Sequence, residues 1–173
     1  MKIRVLAAVA LSLIATASFA LAQEKDAKPT KPGLLTAEEV KAALPEQVFF
    51  RGEKAPVQLR NAGGIRFAGG RLALITLVET SGYSTAIQEK YQAYLITEVR
   101  LKIGAQVLAP GAYGCGIVNG RFTVMDLAAN EVFSVDAPSD ASMKRPRPFL
   151  LTAEGDGYVL HLGKNKVTLA EAE

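Results

Sequence analysis

GAYGCGIVNGRFTVMD, residues 111 to 126, decides the fold. Asn119 and Gly120 accept positive φ more readily than other residues, and they stand between two apolar runs, the pattern of a two-residue type I′ hairpin. A turn centred there pairs Val118 with Arg121, Ile117 with Phe122, Cys115 with Val124 and Tyr113 with Asp126. Side chains alternate along a strand, so Tyr113, Cys115, Ile117, Phe122 and Val124 share one face, and Gly114, Gly116, Thr123 and Met125 the other. The two glycines leave a shallow groove on that second face, either filled by a closely packed segment or open to a ligand.

Working outward, the clearest alternation is in residues 91 to 103. Ala93, Leu95, Thr97, Val99, Leu101 and Ile103 fall on one side, expected to be core. Gln92, Tyr94, Glu98, Arg100 and Lys102 fall on the other, expected to be wet, with Ile96 out of phase. LALITLV, residues 72 to 78, is apolar on both faces and predicts a central strand. Further short apolar runs at 48–51, 57–60, 64–68, 112–118, 121–127, 131–136, 148–153, 157–162 and 166–169 are separated by Gly, Pro and Asn. Turns at this spacing predict a mainly β fold, a single antiparallel β-sandwich or open barrel. Two helical signals interrupt it. Thr36-Ala-Glu-Glu39 has capping-box spacing, and Val40, Ala43 and Leu44 follow at helical intervals before Pro45, so a short N-terminal helix spans about 37 to 44. TAIQEKYQ, within 81–90 and its flank, has the composition of one helical turn.

Towards the N-terminus, Lys2 and Arg4 precede an uncharged run that ends in Ala20-Leu21-Ala22, a small-x-small cleavage signal. Residues 1–22 are therefore expected to be a secretory signal peptide, removed on export to the periplasm or the outside of the cell, with no stable membrane insertion afterwards. Residues 23–33, rich in charge and proline, are expected to be a flexible linker, and 34–173 one β-rich domain. The chain has 20 basic and 17 acidic residues. Two of the basic ones lie in the signal, so the exported part carries 18 against 17 and has no electrostatic footprint for nucleic acid. The cluster Lys144-Arg145-Pro146-Arg147 is expected to be a solvated loop.

The catalytic inventory is thin, with one His and one Cys among 173 residues. That excludes an intramolecular disulfide and most zinc sites, and no cofactor or metal is expected. Cys115 falls on the apolar face and is expected to be an inert buried thiol. A hydrolase would need Ser81 or Ser84 with His161 and one of Asp126, Asp136 or Asp156, yet no G-x-S-x-G elbow is present. The carboxylates Asp126, Asp136, Asp140, Glu154 and Asp156 match no calcium loop. Tyr83, Tyr91 and Tyr94 lie close together in sequence, and with Gly114 and Gly116 they are the candidate ligand-binding residues.

ETSGYSTAIQEKYQAYLITE (79–98), LAPGAYGCGIVNGRFTVMD (108–126) and KRPRPF (144–149) resemble a family of small secreted bacterial β-rich proteins without assigned chemistry. The resemblance implies export and β architecture and carries over no catalytic residue. The expectation is thus an exported, non-catalytic binding or structural module for a protein, glycan or small molecule. A barrel-type ligand carrier is the alternative, although Phe67, Leu74, Leu95 and Phe122 are large enough to fill such a barrel. A hydrolase using Ser84 or His161 is the remaining one.

Overall fold

The structure, a computed structural model, describes residues 31–172. The expected signal peptide and most of the expected linker lie outside the described residues.

The first elements among the described residues are a two-residue strand β1 (Gly33–Leu34) and helix α1 (Ala37–Ala43). Gly33, counted with the linker from sequence, is paired with Arg66. The capping box forms as expected. Thr36 N–H donates to Glu39 Oε2 at 2.8 Å, and Glu39 N–H donates to Thr36 Oγ1 at 3.3 Å. Two of the orphan donors at the helix start are thereby satisfied. The helix stops where Leu44 turns extended ahead of Pro45. Glu39 also accepts from Arg66 at 2.8 Å, tying the helix to the sheet.

The remaining strands are β2 (Gln47–Phe50), β3 (Glu53–Arg66), β4 (Leu72–Val78), β5 (Ala93–Thr97), β6 (Leu101–Ile103), β7 (Gln106–Leu108), β8 (Gly111–Val118), β9 (Arg121–Met125), β10 (Glu131–Asp136), β11 (Arg147–Glu154), β12 (Gly157–Gly163) and β13 (Asn165–Glu171). A second short helix, α2 (Thr85–Gln88), precedes β5. All pairs are antiparallel. The larger sheet runs β1-β3-β4-β5-β8-β9-β10 with β2 added on β3, and the smaller runs β11-β12-β13-β6-β7. Neither sheet closes on itself, so the architecture is a β-sandwich.

The hairpin at Asn119-Gly120 has φ of 51° and 73° and pairs Val118 with Arg121, Ile117 with Phe122 and Cys115 with Val124. Its apolar face enters the inter-sheet core with Ile75, Leu95 and Phe67 of the larger sheet and Leu101, Ile103, Leu160, Val167 and Leu169 of the smaller. Apolar burial at about 25 cal/mol per Å² makes this contact between faces the main stabilising term. Leu74 is not part of it. That side chain turns to the outer face and packs under Val40 of α1 and Leu44 just beyond it.

Residues 91–103 depart from the sequence expectation in two ways. They are not one strand: Thr97 Oγ1 accepts from Val99 N–H at 3.3 Å and donates to Val99 O at 2.9 Å, and after this turn the chain crosses to the smaller sheet as β6. The alternation survives because both sheets face one core. Ala93, Leu95 and Thr97 are buried from one side, and Val99, Leu101 and Ile103 from the other. A period of two says which residues point inward and not which layer holds them. Secondly, the outward face is only partly wet. Glu98, Arg100 and Lys102 are exposed, whereas Tyr94 is buried beneath a second, outer core.

β3 merges two predicted runs and the segment before them. Val57 pairs with Val78 and Ala62 with Thr76, so residues 58–61 bulge out opposite Leu77 alone. β7, a three-residue edge strand, has no counterpart among the predicted runs.

Candidate functional site

Tyr83, Tyr91 and Tyr94 do not form an open surface. With Phe50, Val48, Ala55, Val78, Ile87 and Met125 they build the outer core, between the larger sheet and the β2–α2 cover. Tyr91 is fully buried, stacked on Phe50 at 4.0 Å between ring centroids and edge-on to Tyr83 at 5.3 Å. Tyr83 donates its hydroxyl to Phe50 O and Glu53 O, each at 3.1 Å, and Tyr94 donates to Phe49 O at 3.3 Å. These bonds run inward to the chain's own carbonyls. Burial pushes the phenols of Tyr83, Tyr91 and Tyr94 up from their ordinary range, and a neutral hydroxyl is the form that this core holds.

The groove over the two glycines is filled. A Cβ on Gly114 would meet Phe50 Cε2 at 2.4 Å, and one on Gly116 would meet the Lys90 carbonyl oxygen at 2.3 Å. The glycines are there because an aromatic ring and a backbone segment lie directly on the sheet. Cys115, on the opposite face, is buried in the inter-sheet core with its thiol pushed up by desolvation, which makes it a poor nucleophile.

His161 is also buried. Its Nε2 lies 3.1 Å from Asp140 Oδ2, and Lys166 Nζ lies 3.4 Å from the same oxygen. Asp140 Oδ1 accepts from Ser142 Oγ at 2.6 Å and from Ser142 N–H at 2.9 Å. Ser142, His161 and Lys166 together hold the Asp140 carboxyl well below the ordinary carboxylate range. The serine therefore sits on the aspartate, not on the histidine, and His161 Nδ1 is buried with no partner among the described residues. A relay for nucleophilic attack needs its base to accept from the nucleophile. Ser84 instead stands at the start of α2, with its side chain outside any capping bond. The Asp140 cluster holds the segment at 138–140 alongside the start of β13, where Ser139 bridges antiparallel to Asn165, Lys166 N–H donates to Pro138 O and Asp140 N–H to Lys164 O.

Several concavities open on the described surface, among them one of about 470 Å³ beside Arg71, Arg100 and Glu171 and one of about 310 Å³ beside Lys102, Glu154 and Tyr158. The one lined by uncharged side chains lies at one end of the sandwich. β4 ends there, β5 begins, β12 ends and β13 begins, leaving a cleft of about 430 Å³, a volume in the range of small-ligand sites. Aliphatic contact comes from Leu77, Ile117, Pro148 and Leu162. Polar contact comes from Gln58, Thr80, Gln88, Gln92 and Asn165, and no titratable side chain belongs to the lining.

Two irregularities of the larger sheet make this cleft. The bulge at 58–61 places Gln58 at the rim, where it donates to Glu79 Oε1 at 2.6 Å and accepts from Asn61 Nδ2 at 2.8 Å. Bulges recur where a strand must re-aim a side chain towards a site. The other is the early departure of β5. Gln92 N–H still donates to Cys115 O at 2.9 Å, but Tyr91 N–H bonds back to Ile87 O at 2.7 Å, so the backbone has already turned into α2. The Gln92 side chain continues the ladder in its place, donating Nε2 to Ile117 O at 3.0 Å and accepting Ile117 N–H on Oε1 at 3.1 Å. Gln88 donates to Tyr83 O at 2.7 Å and Asn165 to Ala137 O at 2.6 Å, so the carboxamides of Gln88, Gln92 and Asn165 are held by main chain and that of Gln58 by side chains.

Sequence reasoning did not collect these residues. They sit on six separated segments, and the one signal available was the alternation that put Gln92 on the polar side of its run. No family model, curated protein or solved structure matches the chain.

Proposed function

We propose that the chain is an exported, non-catalytic binding module whose ligand sits in the cleft at the end of the sandwich. The observation that carries this reading is the lining itself: carboxamides, aliphatic groups and the single hydroxyl of Thr80, with no acid or base among them to activate it. Such a surface supplies hydrogen bonds and contact area, and general acid–base chemistry needs a titratable group within reach of the substrate. Export rests on the sequence of residues 1–22, and among the described residues no helix is long and apolar enough to cross a membrane. A carrier would need an enclosed void between the sheets, and that space holds the packed side chains of Phe67, Leu95, Phe122 and Leu160.

Native mass spectrometry of the protein purified gently from its exporting cell tests the reading. The expected result is a bound, uncharged mass that is lost when Gln88 and Asn165 are changed to Ala. A bare chain that turns over an ester or glycoside, with the activity abolished by His161→Gln, would contradict it.

A further inference from the structure

We propose that the cleft takes an extended, uncharged peptide segment, which pairs with β8 at Ile117 after the Gln92 carboxamide swings aside. This deepens the binding-module reading and rests on it. Along an antiparallel strand, the groups aimed at one neighbour recur every second residue. Cys115 O is aimed at β5, since it takes Gln92 N–H. Two residues on, Ile117 presents both its N–H and its C=O on the same side, where β5 is no longer present. A primary carboxamide carries the donor and acceptor of a peptide unit, so the Gln92 side chain stands in for the missing strand residue with two bonds of ordinary length.

The stand-in is exchangeable in a way that a main-chain partner would not be. Moving it aside breaks no backbone ladder, gives up one further bond, from Nε2 to Glu89 O at 3.0 Å, whose acceptor is exposed to water, and returns rotamer freedom to the side chain. An incoming peptide amide then restores both bonds at Ile117, so no buried donor or acceptor is left unpaired. Strand addition at a sheet edge is a general mode of peptide capture, in which main-chain bonds supply affinity and flanking contacts supply selectivity. Here the flanking contacts are Leu77 and Leu162 for an aliphatic side chain, and Gln58, Gln88 and Asn165 for further amides or hydroxyls. A charged residue would enter without a counter-charge in the lining and lose its hydration. The lining also has no aromatic ring on which a sugar could stack.

The test is a titration of the ¹⁵N-labelled protein followed by NMR, with three probes: a capped pentapeptide of alternating serine and valine, its fully N-methylated counterpart, and maltotriose. The expected result is saturable movement of the Ile117 amide and the Gln92 carboxamide with the plain peptide. The N-methylated peptide is expected to bind about fivefold more weakly or worse, the equivalent of one lost hydrogen bond. Gln92→Ala is expected to bind the plain peptide roughly threefold more tightly, because nothing has to be displaced. If that variant does not fold, Gln92→Glu keeps the size, cannot donate to Ile117 O, and is expected to shift affinity in the same direction. Equal binding of the two peptides would overturn the pairing. Maltotriose moving the carboxamides of Gln58, Gln88 and Asn165 while the peptide moves nothing would overturn the peptide and leave the binding module standing. Silence of all cleft resonances towards all three probes would overturn the inference, and the mass measurement above would then decide the module reading independently.

Discussion

Two stretches of β8 lie side by side and are closed in opposite ways. At Gly114 and Gly116 the sheet is covered by an aromatic ring and a backbone carbonyl, so tightly that no Cβ fits. One residue later, at Ile117, the edge is closed only by a side-chain amide at the wall of an open cleft. The difference teaches where to look for a site in a β domain. Glycines and tyrosines, the usual markers of a groove, here mark the densest packing, and the accessible chemistry appears where a strand leaves its sheet.

The largest expected effect comes from the closed side. Tyr91→Ala empties the middle of the outer core and is expected to cost about 3–5 kcal/mol in chemical denaturation, as large aromatic truncations do. Tyr91→Phe sharpens the comparison. The hydroxyl of Tyr91 is buried without a partner among the described residues, so its removal is expected to be neutral or stabilising. Clear destabilisation by Phe would mean that the hydroxyl is bonded after all. Next come the glycines. Gly116→Ala drives a methyl into the Lys90 carbonyl and is expected to cost about 1–3 kcal/mol, with Gly114→Ala close behind because the Phe50 ring is itself stacked and cannot turn away. Unchanged melting of both variants would reopen the groove.

On the open side the costs are smaller. Gln92→Ala removes two bonds to Ile117 at the wall of a solvated cleft, and about 1–2 kcal/mol is expected in the same denaturation series. The smallest effect is confined to acid. The Asp140 carboxyl is depressed in the folded state by Ser142, His161 and Lys166. The unfolded chain therefore binds the extra proton first, and stability held above the ordinary carboxyl range near pH 4 falls as pH drops towards the folded value. Thermal melting between pH 6 and pH 2 is expected to show a shallower acid decline for Asp140→Asn than for the natural chain. Parallel curves would remove Asp140 from the account.

Much of this fold was legible in the sequence because it depends on local chemistry. Asn119-Gly120 set the hairpin register, Thr36 and Glu39 set the helix start, and residues 72 to 78 announced a strand buried on both faces. What was not legible depends on segments distant in the chain. That Phe50 would cover Gly114, or that Tyr94 would be roofed by β2, follows from which layers stack, and alternation is silent on that. The crossing at Thr97 was hidden for a related reason, since the pattern of inward residues is the same in one strand or two. The cleft was the least legible part. Its carboxamides are ordinary polar residues until the bulge at 58–61 and the departure of β5 bring them to one place.

Hydrogen exchange at the Ile117 amide tests the central claim most directly, because it needs no ligand. If the Gln92 side chain closes this edge, Gln92→Ala is expected to speed exchange at Ile117 by about tenfold while Cys115, paired to Ala93 in the ladder, stays as slow as before. An Ile117 amide equally protected with and without the Gln92 side chain would show that the edge is closed by something else, and that the cleft has no exchangeable strand position to offer.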